Sequence, residues 1–225
     1  MKLLQGKKED VEKQAVDEFK KTVTNLLKKQ DIVILGLCGG RSIQGILKLL
    51  KQEKLPWSKI HVFMVDERQV PIRHEESNFK QAHDLLFKDL LEKELLDKTN
   101  LHPYDYEKPV EQYTKLLQQS NGFDICFFGV GEDGHIAGLY PNHHSIKNDS
   151  KGFITMNDSP KPPRNRMTMS KHLVKQSQTN FVLFFGEHKK NAYQKFLNES
   201  TTTTNTPAKL TLNNQTIVVT NLEKQ

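Results

Sequence analysis

Between residues 8 and 29, apolar side chains return every three or four positions, at Val11, Ala15, Phe19, Val23 and Leu26, with charge between them. That period predicts an amphipathic helix with one buried stripe. The pattern then changes. Residues 31–37 form a short run rich in Ile, Val and Leu, fit for a strand buried on both faces, and the run stops at Cys38-Gly39-Gly40. Ser42 stands where it would cap a helix reaching Leu50. Residues 59–65 repeat the strand pattern and end at Asp66-Glu67-Arg68. After a loop at Pro71, the spacing of Phe79, Ala82, Leu86, Leu90 and Leu91 predicts a long helix; Val110, Tyr113, Leu116 and Leu117 predict another. Residues 123–128 are a third buried strand, 153–156 and 167–170 are shorter ones, and 181–185 lead through Gly186 into a helix ending near Leu197. The Thr/Asn tract 201–206 reads as an exposed loop before a last strand at 216–220.

Strands alternating with helices at this spacing imply βαβ units. The expected fold is α/β: an open, mostly parallel, doubly wound sheet of Rossmann-like type, flanked by helices on both faces. Residues 1–225 contain no internal repeat and no obvious interdomain linker, so a single domain is expected.

Composition narrows the class. Of the 225 residues, 36% are hydrophobic and 27% charged, which excludes a disordered or collagenous chain. The apolar runs fall far short of the roughly 20 residues of a membrane helix. The start of the chain carries Lys7, Lys8, Glu9 and Asp10 where a secretory signal would be apolar, so a soluble, cytoplasmic protein is expected, with no membrane partner. Cys38 and Cys126 lie in or just after apolar runs and read as buried thiols, not as a disulfide framework. The 33 basic and 27 acidic residues leave a net charge of +6, pointing to an anionic partner. The lysines along helix 8–29 are interleaved with acids, which argues against nucleic acid.

In open parallel sheets, ligands gather at the carboxyl ends of the strands. Four strand ends here carry reactive or anion-binding groups: Cys38-Gly39-Gly40-Arg41-Ser42, Asp66-Glu67-Arg68, Gly131-Glu132-Asp133-Gly134-His135 and Gly186-Glu187-His188-Lys189. A Gly-Gly turn before a helix lets backbone N–H groups approach a phosphate, and Arg41 adds a two-pronged donor. Gly129, Gly131 and Gly134 match the spacing of a dinucleotide fingerprint, but they fall mid-chain, and Glu132 and Asp133 would meet a pyrophosphate. No nicotinamide or flavin cofactor is expected. Asp133-Gly134-His135 reads instead as a catalytic turn, with a neutral imidazole as base and Asp133 or Asp66 to orient it. His143 and His144 follow at a spacing that matches no standard metal site, and no metal is expected. Lys189 falls in the first turn of a helix, where the dipole disfavours a cation unless an anion binds there.

Taken together, these segments resemble the 6-phosphogluconolactonase family, which shares a superfamily with the glucosamine-6-phosphate deaminases. The likeness extends through Pro71, Glu76-Ser77-Asn78 and Pro162-Pro163-Arg164-Asn165-Arg166-Met167-Thr168, and so spans most of the chain. Cys38, Gly138 and Tyr140 depart from the residues usual there. The resemblance implies hydrolysis of 6-phospho-D-glucono-1,5-lactone to 6-phosphogluconate in the oxidative pentose phosphate pathway, without cofactor. It implies His135 as general base, with Asp66, Arg68 and Asp133 in the catalytic group. Gly39, Gly40, Arg41, Ser42, Gly134, Arg166 and Lys189 would bind the sugar phosphate. Monomer and homodimer are both open. The rivals are a glucosamine-6-phosphate deaminase or isomerase, against which Arg68 and the short chain argue, and a sugar-phosphate sensor without turnover.

Overall fold

The structure is a computed structural model that describes residues 1–213 and 215–223. Its strands are β1 (Lys2–Gln5), β2 (Val33–Leu37), β3 (Ile60–Met64), β4 (Asp66–Arg68), β5 (Leu101–His102), β6 (Ile125–Gly129), β7 (Phe153–Met156), β8 (Arg166–Met169), β9 (Thr179–Phe184) and β10 (Gln215–Thr220). The helices are α1 (Lys8–Leu26), α2 (Gln44–Leu50), α3 (Asn78–Ala82), α4 (Lys88–Glu92), α5 (Val110–Gln119), α6 (His144–Lys147), α7 (Lys171–Gln176) and α8 (Lys190–Leu197). Seven strands form one sheet in the order β1-β10-β9-β6-β2-β3-β5, and every pair in it is parallel. The expected open parallel sheet is therefore present. Among the described residues, no helix is long and apolar enough to cross a membrane.

Register shows that helices cover both faces. Gly36 pairs with both Phe63 and Cys126, so those three share a face, while Phe127, next to Cys126, points the other way. Phe19 of α1 lies 5.6 Å from Phe127, whose ring stacks on Phe181 at 4.5 Å. On the opposite face, Tyr113 of α5 packs on Phe63 at 5.6 Å. Val11, Ala15, Phe19 and Val23, the stripe read from the sequence, are all buried.

Four features differ from the sequence reading. Asp66–Arg68 does not merely end β3; it is β4, paired antiparallel with β8 in a second sheet of order β4-β8-β7. A charged Asp-Glu-Arg triplet tolerates burial there because the Glu67 carboxylate caps α3, accepting from the N–H groups of Asn78 and Phe79, both at 2.8 Å, and from Ser77 Oγ at 3.1 Å. Ser42 does not cap α2, which starts two residues later, after Ile43. The long helix is interrupted by a π-helical turn, His83–Phe87, between α3 and α4. The polar tract near residue 205 is not all loop surface, since Thr206 is fully buried. In addition, β1 carries no legible strand pattern: only Leu4 is buried, and its pairing with β10 holds it at the sheet edge.

The Phe19–Phe127–Phe181 contact is central to the α1 face. Phe127→Ala should cost about 3–5 kcal/mol. In urea the midpoint should fall while the m-value stays that of the parent.

Candidate active site

Because the strands run in register, their C-terminal ends share one edge: Leu37 pairs with Met64, Gly129 with Leu183, and Thr220 with Phe184. The residues that follow those ends converge on a cavity of about 540 Å³. Of the residues expected from the sequence, Gly39, Gly40, Arg41, Ser42, Asp66, Arg68, His135, Arg166 and Lys189 line it. Asp133 lies behind His135, outside the lining. Gly134 does not reach the cavity; with φ +90° it makes the turn, and its N–H donates to Gly131 O at 3.0 Å.

His135 is held from one side. Its Nδ1 lies 2.5 Å from Asp133 Oδ1, and its own N–H donates to the same oxygen at 3.2 Å. Burial would raise the Asp133 carboxyl, but the hydrogen bond and the charge interaction with His135 outweigh it and bring it down to about 2. The carboxylate is thus an acceptor throughout the neutral range and draws the ring proton to Nδ1. The lone pair of Nε2 is left for the cavity. The ring also lies against Gly131, where an added Cβ would come within 2.1 Å of it. Only glycine leaves that space. Tyr140 packs on the other side at 4.8 Å and donates no charge. Asp133, not Asp66, orients the histidine: Asp66 Oδ2 faces Arg166 Nη1 at 3.6 Å.

Two arginines face each other across β4 and β8, where Arg68 and Arg166 are register partners. Like charges opposite one another are unfavourable unless something anionic offsets them. Arg166 is fixed by donating to Pro163 O at 3.1 Å and Pro162 O at 3.0 Å. Arg68 Nη1 donates to Glu76 O, while its Nε is shut off from water with no partner. Gly40, also in the cavity lining, turns at φ +85° with open space where a side chain would stand, so a ligand can approach the backbone closely. Lys189 Nζ donates to Ser42 Oγ at 2.7 Å. Burial lowers its ammonium to about 8, and the nearby Arg41 and Lys161 cations push the same way. Cys38 Sγ accepts from Gly129 N–H at 3.2 Å, and burial, with the Asp66 charge, pushes the thiol up to about 12. It stays protonated and is a poor nucleophile.

The sequence reading missed Lys8, Lys161 and Asn221 among the lining residues. Lys8 is one of the lysines of helix 8–29 that are interleaved with acids, a pattern that does not single it out. Asn221 follows β10, and applying the strand-end rule to that last strand would have found it.

An open α/β sheet with a cationic cavity and a half-buried Asp–His pair at its carboxyl edge is the frame of a binder of small anionic metabolites. The chain belongs to the family described as glucosamine-6-phosphate isomerases/6-phosphogluconolactonase, whose sequence model matches residues 6–219. It is 30% identical over 204 residues to the 6-phosphogluconolactonase of Borreliella burgdorferi, covering 87% of this chain and 86% of the relative. The crystal structure of 6-phosphogluconolactonase from Thermotoga maritima superposes with a TM-score of 0.83 and 25% identity over 97% of both chains. That from Leishmania guyanensis, at 18% identity and a TM-score of 0.85, shares the fold over 98% of this chain and 96% of its own.

Lys189 generates a pH prediction. Its ammonium is present below about pH 8 and lost above it. Inorganic phosphate binding, followed by calorimetry, should therefore weaken above that pH, approaching tenfold per unit. Lys189→Met should bind weakly throughout and show no such fall.

Proposed function

We propose that the chain hydrolyses 6-phospho-D-glucono-1,5-lactone to 6-phosphogluconate, with His135 as general base. The observation that carries this reading is the Asp133–His135 pair, whose free nitrogen is left for a cavity walled by cations. The relatives named 6-phosphogluconolactonase, matched over most of the chain, support the substrate.

In this mechanism the phosphate lies on the Gly39-Gly40 turn, with Arg41 and Lys189 around it, which leaves C1 of the lactone towards His135. His135 Nε2 takes a proton from water as the oxygen attacks the C1 carbonyl. Arg68, which lines the cavity, stabilises the developing oxyanion with its guanidinium charge, and Arg166, braced by Asp66, holds the substrate anion. When the C1–ring oxygen bond breaks, the imidazolium returns its proton to the ring oxygen, and the new carboxylic acid ionises. Asp133 holds the imidazolium by charge and hydrogen bond, as an orienting carboxylate does in other histidine bases. General base catalysis supplies about 3–5 kcal/mol and one oxyanion donor about 3–4 kcal/mol more. A lactone is an activated ester, so no covalent nucleophile is required. The reading implies a cytoplasmic, single-domain enzyme.

One observation favours a second route. The Lys189–Ser42 contact is a hydroxyl paired with an amine of lowered basicity, the arrangement that can activate a serine nucleophile. Ser42→Ala separates the two: a water mechanism keeps kcat within several-fold, whereas a serine nucleophile loses it.

The test is acid release from lactone generated in situ, measured above the spontaneous rate. His135→Ala should lower kcat by roughly 10²–10⁴-fold. Lys189→Ala should chiefly raise KM. Gly131→Ala should push the imidazole aside and cost about 10²-fold in kcat with the fold intact. Full activity in His135→Ala would overturn the mechanism, and ammonia release from glucosamine 6-phosphate would overturn the substrate.

A further inference from the structure

Outside the cavity, and among the described residues, one group has metal-ligating chemistry. His143, His144 and Asp158 each offer one donor atom, all within 4.8 Å of one another. His144 Nε2 lies 2.8 Å from Asp158 Oδ1. His143 Nε2 lies 3.5 Å from the same oxygen, beyond a good hydrogen bond, and makes none although almost no water reaches it. Two imidazoles thus converge on one carboxylate oxygen, and only the nearer is within good hydrogen-bond distance. We propose that His143, His144 and Asp158 form a binding site for a divalent transition-metal ion of the zinc class.

The donor set is two imidazole nitrogens and a carboxylate, which suits zinc and leaves a fourth position for water. Ligands about 2.0–2.1 Å from zinc stand about 3.3 Å apart around a tetrahedron. The observed separations of 2.8 and 3.5 Å straddle that value. The remaining pair closes by rotation of His144, whose side chain is half exposed. His143 already has the outer partner such a ligand needs: Ser145 Oγ is 3.0 Å from Nδ1 and can accept its proton, which turns the Nε2 lone pair to the ion. The contact from Ser145 N–H to Nδ1, at 3.2 Å, would be given up in exchange.

The location gives the ion a consequence. It would tie the start of α6 to the loop between β7 and β8, which brings Lys161 and Pro162 to the cavity and leads into Arg166. Ser159, next to Asp158, donates to Tyr140 Oη at 3.0 Å, and Tyr140 packs on His135. An occupied site would hold that wall of the cavity against the histidine.

The experiment strips the purified chain with a chelator and titrates Zn²⁺ against a chromophoric competitor. In parallel it follows tryptic cleavage after Arg164, which is exposed in the same loop. One ion per chain should bind in the micromolar range and slow that cleavage. His144→Gln and Asp158→Asn should each weaken binding at least tenfold and abolish the protection, while unfolding at the same temperature as the stripped parent. No binding, binding unchanged in both variants, or binding lost only in His135→Asn would each overturn the site.

Discussion

Seven parallel strands in register must all end on one edge, and everything the site does rests on that constraint. The chain leaves β2, β3, β6, β9 and β10 at neighbouring points, so five loops distant in sequence meet around one cavity. The sheet is covered on both faces by aromatic contacts, with Phe19 on Phe127 on one side and Tyr113 on Phe63 on the other. The edge is left as the place where polar groups can face a ligand without exposing the core.

What gathers there is electrostatically unbalanced. Arg68 and Arg166 oppose one another across two strands, and Lys189 is buried beside Ser42 within reach of Arg41 and Lys161. Burial, reinforced by the Arg41 and Lys161 cations, lowers the Lys189 ammonium to about 8. In the proposed function a sugar phosphate would offset these like charges, so that groups disfavouring each other in the free protein would hold the ligand. Asp133 behaves in the opposite sense: the histidine beside it holds its carboxyl down at about 2, which keeps the orienting charge in place.

Much of this was legible in the sequence because strand ends are legible. The apolar runs 31–37, 59–65 and 123–128 mark where β2, β3 and β6 stop, and the glycines and charges after them mark the cavity. Partnership was not. Spacing leaves Asp66 and Asp133 equivalent as orienters of His135, and only the Gly131–Gly134 turn brings Asp133 to Nδ1 while β8 draws Asp66 to Arg166. The runs 153–156 and 167–170 mark β7 and β8, but β4 was invisible because Asp66-Glu67-Arg68 has no apolar alternation; its burial is made tolerable by capping α3 from eleven residues away. The grouping of His143 and His144 with Asp158 was hidden because the carboxylate arrives on a different loop.

The central claim is that Asp133 holds the His135 proton on Nδ1 and so leaves Nε2 as the base. The most direct measurement is long-range ¹⁵N–¹H correlation of the His135 ring in its neutral form. The account predicts an Nδ1–H tautomer that is lost or mixed in Asp133→Asn. A ring protonated on Nε2, or a tautomer indifferent to Asp133, would contradict it.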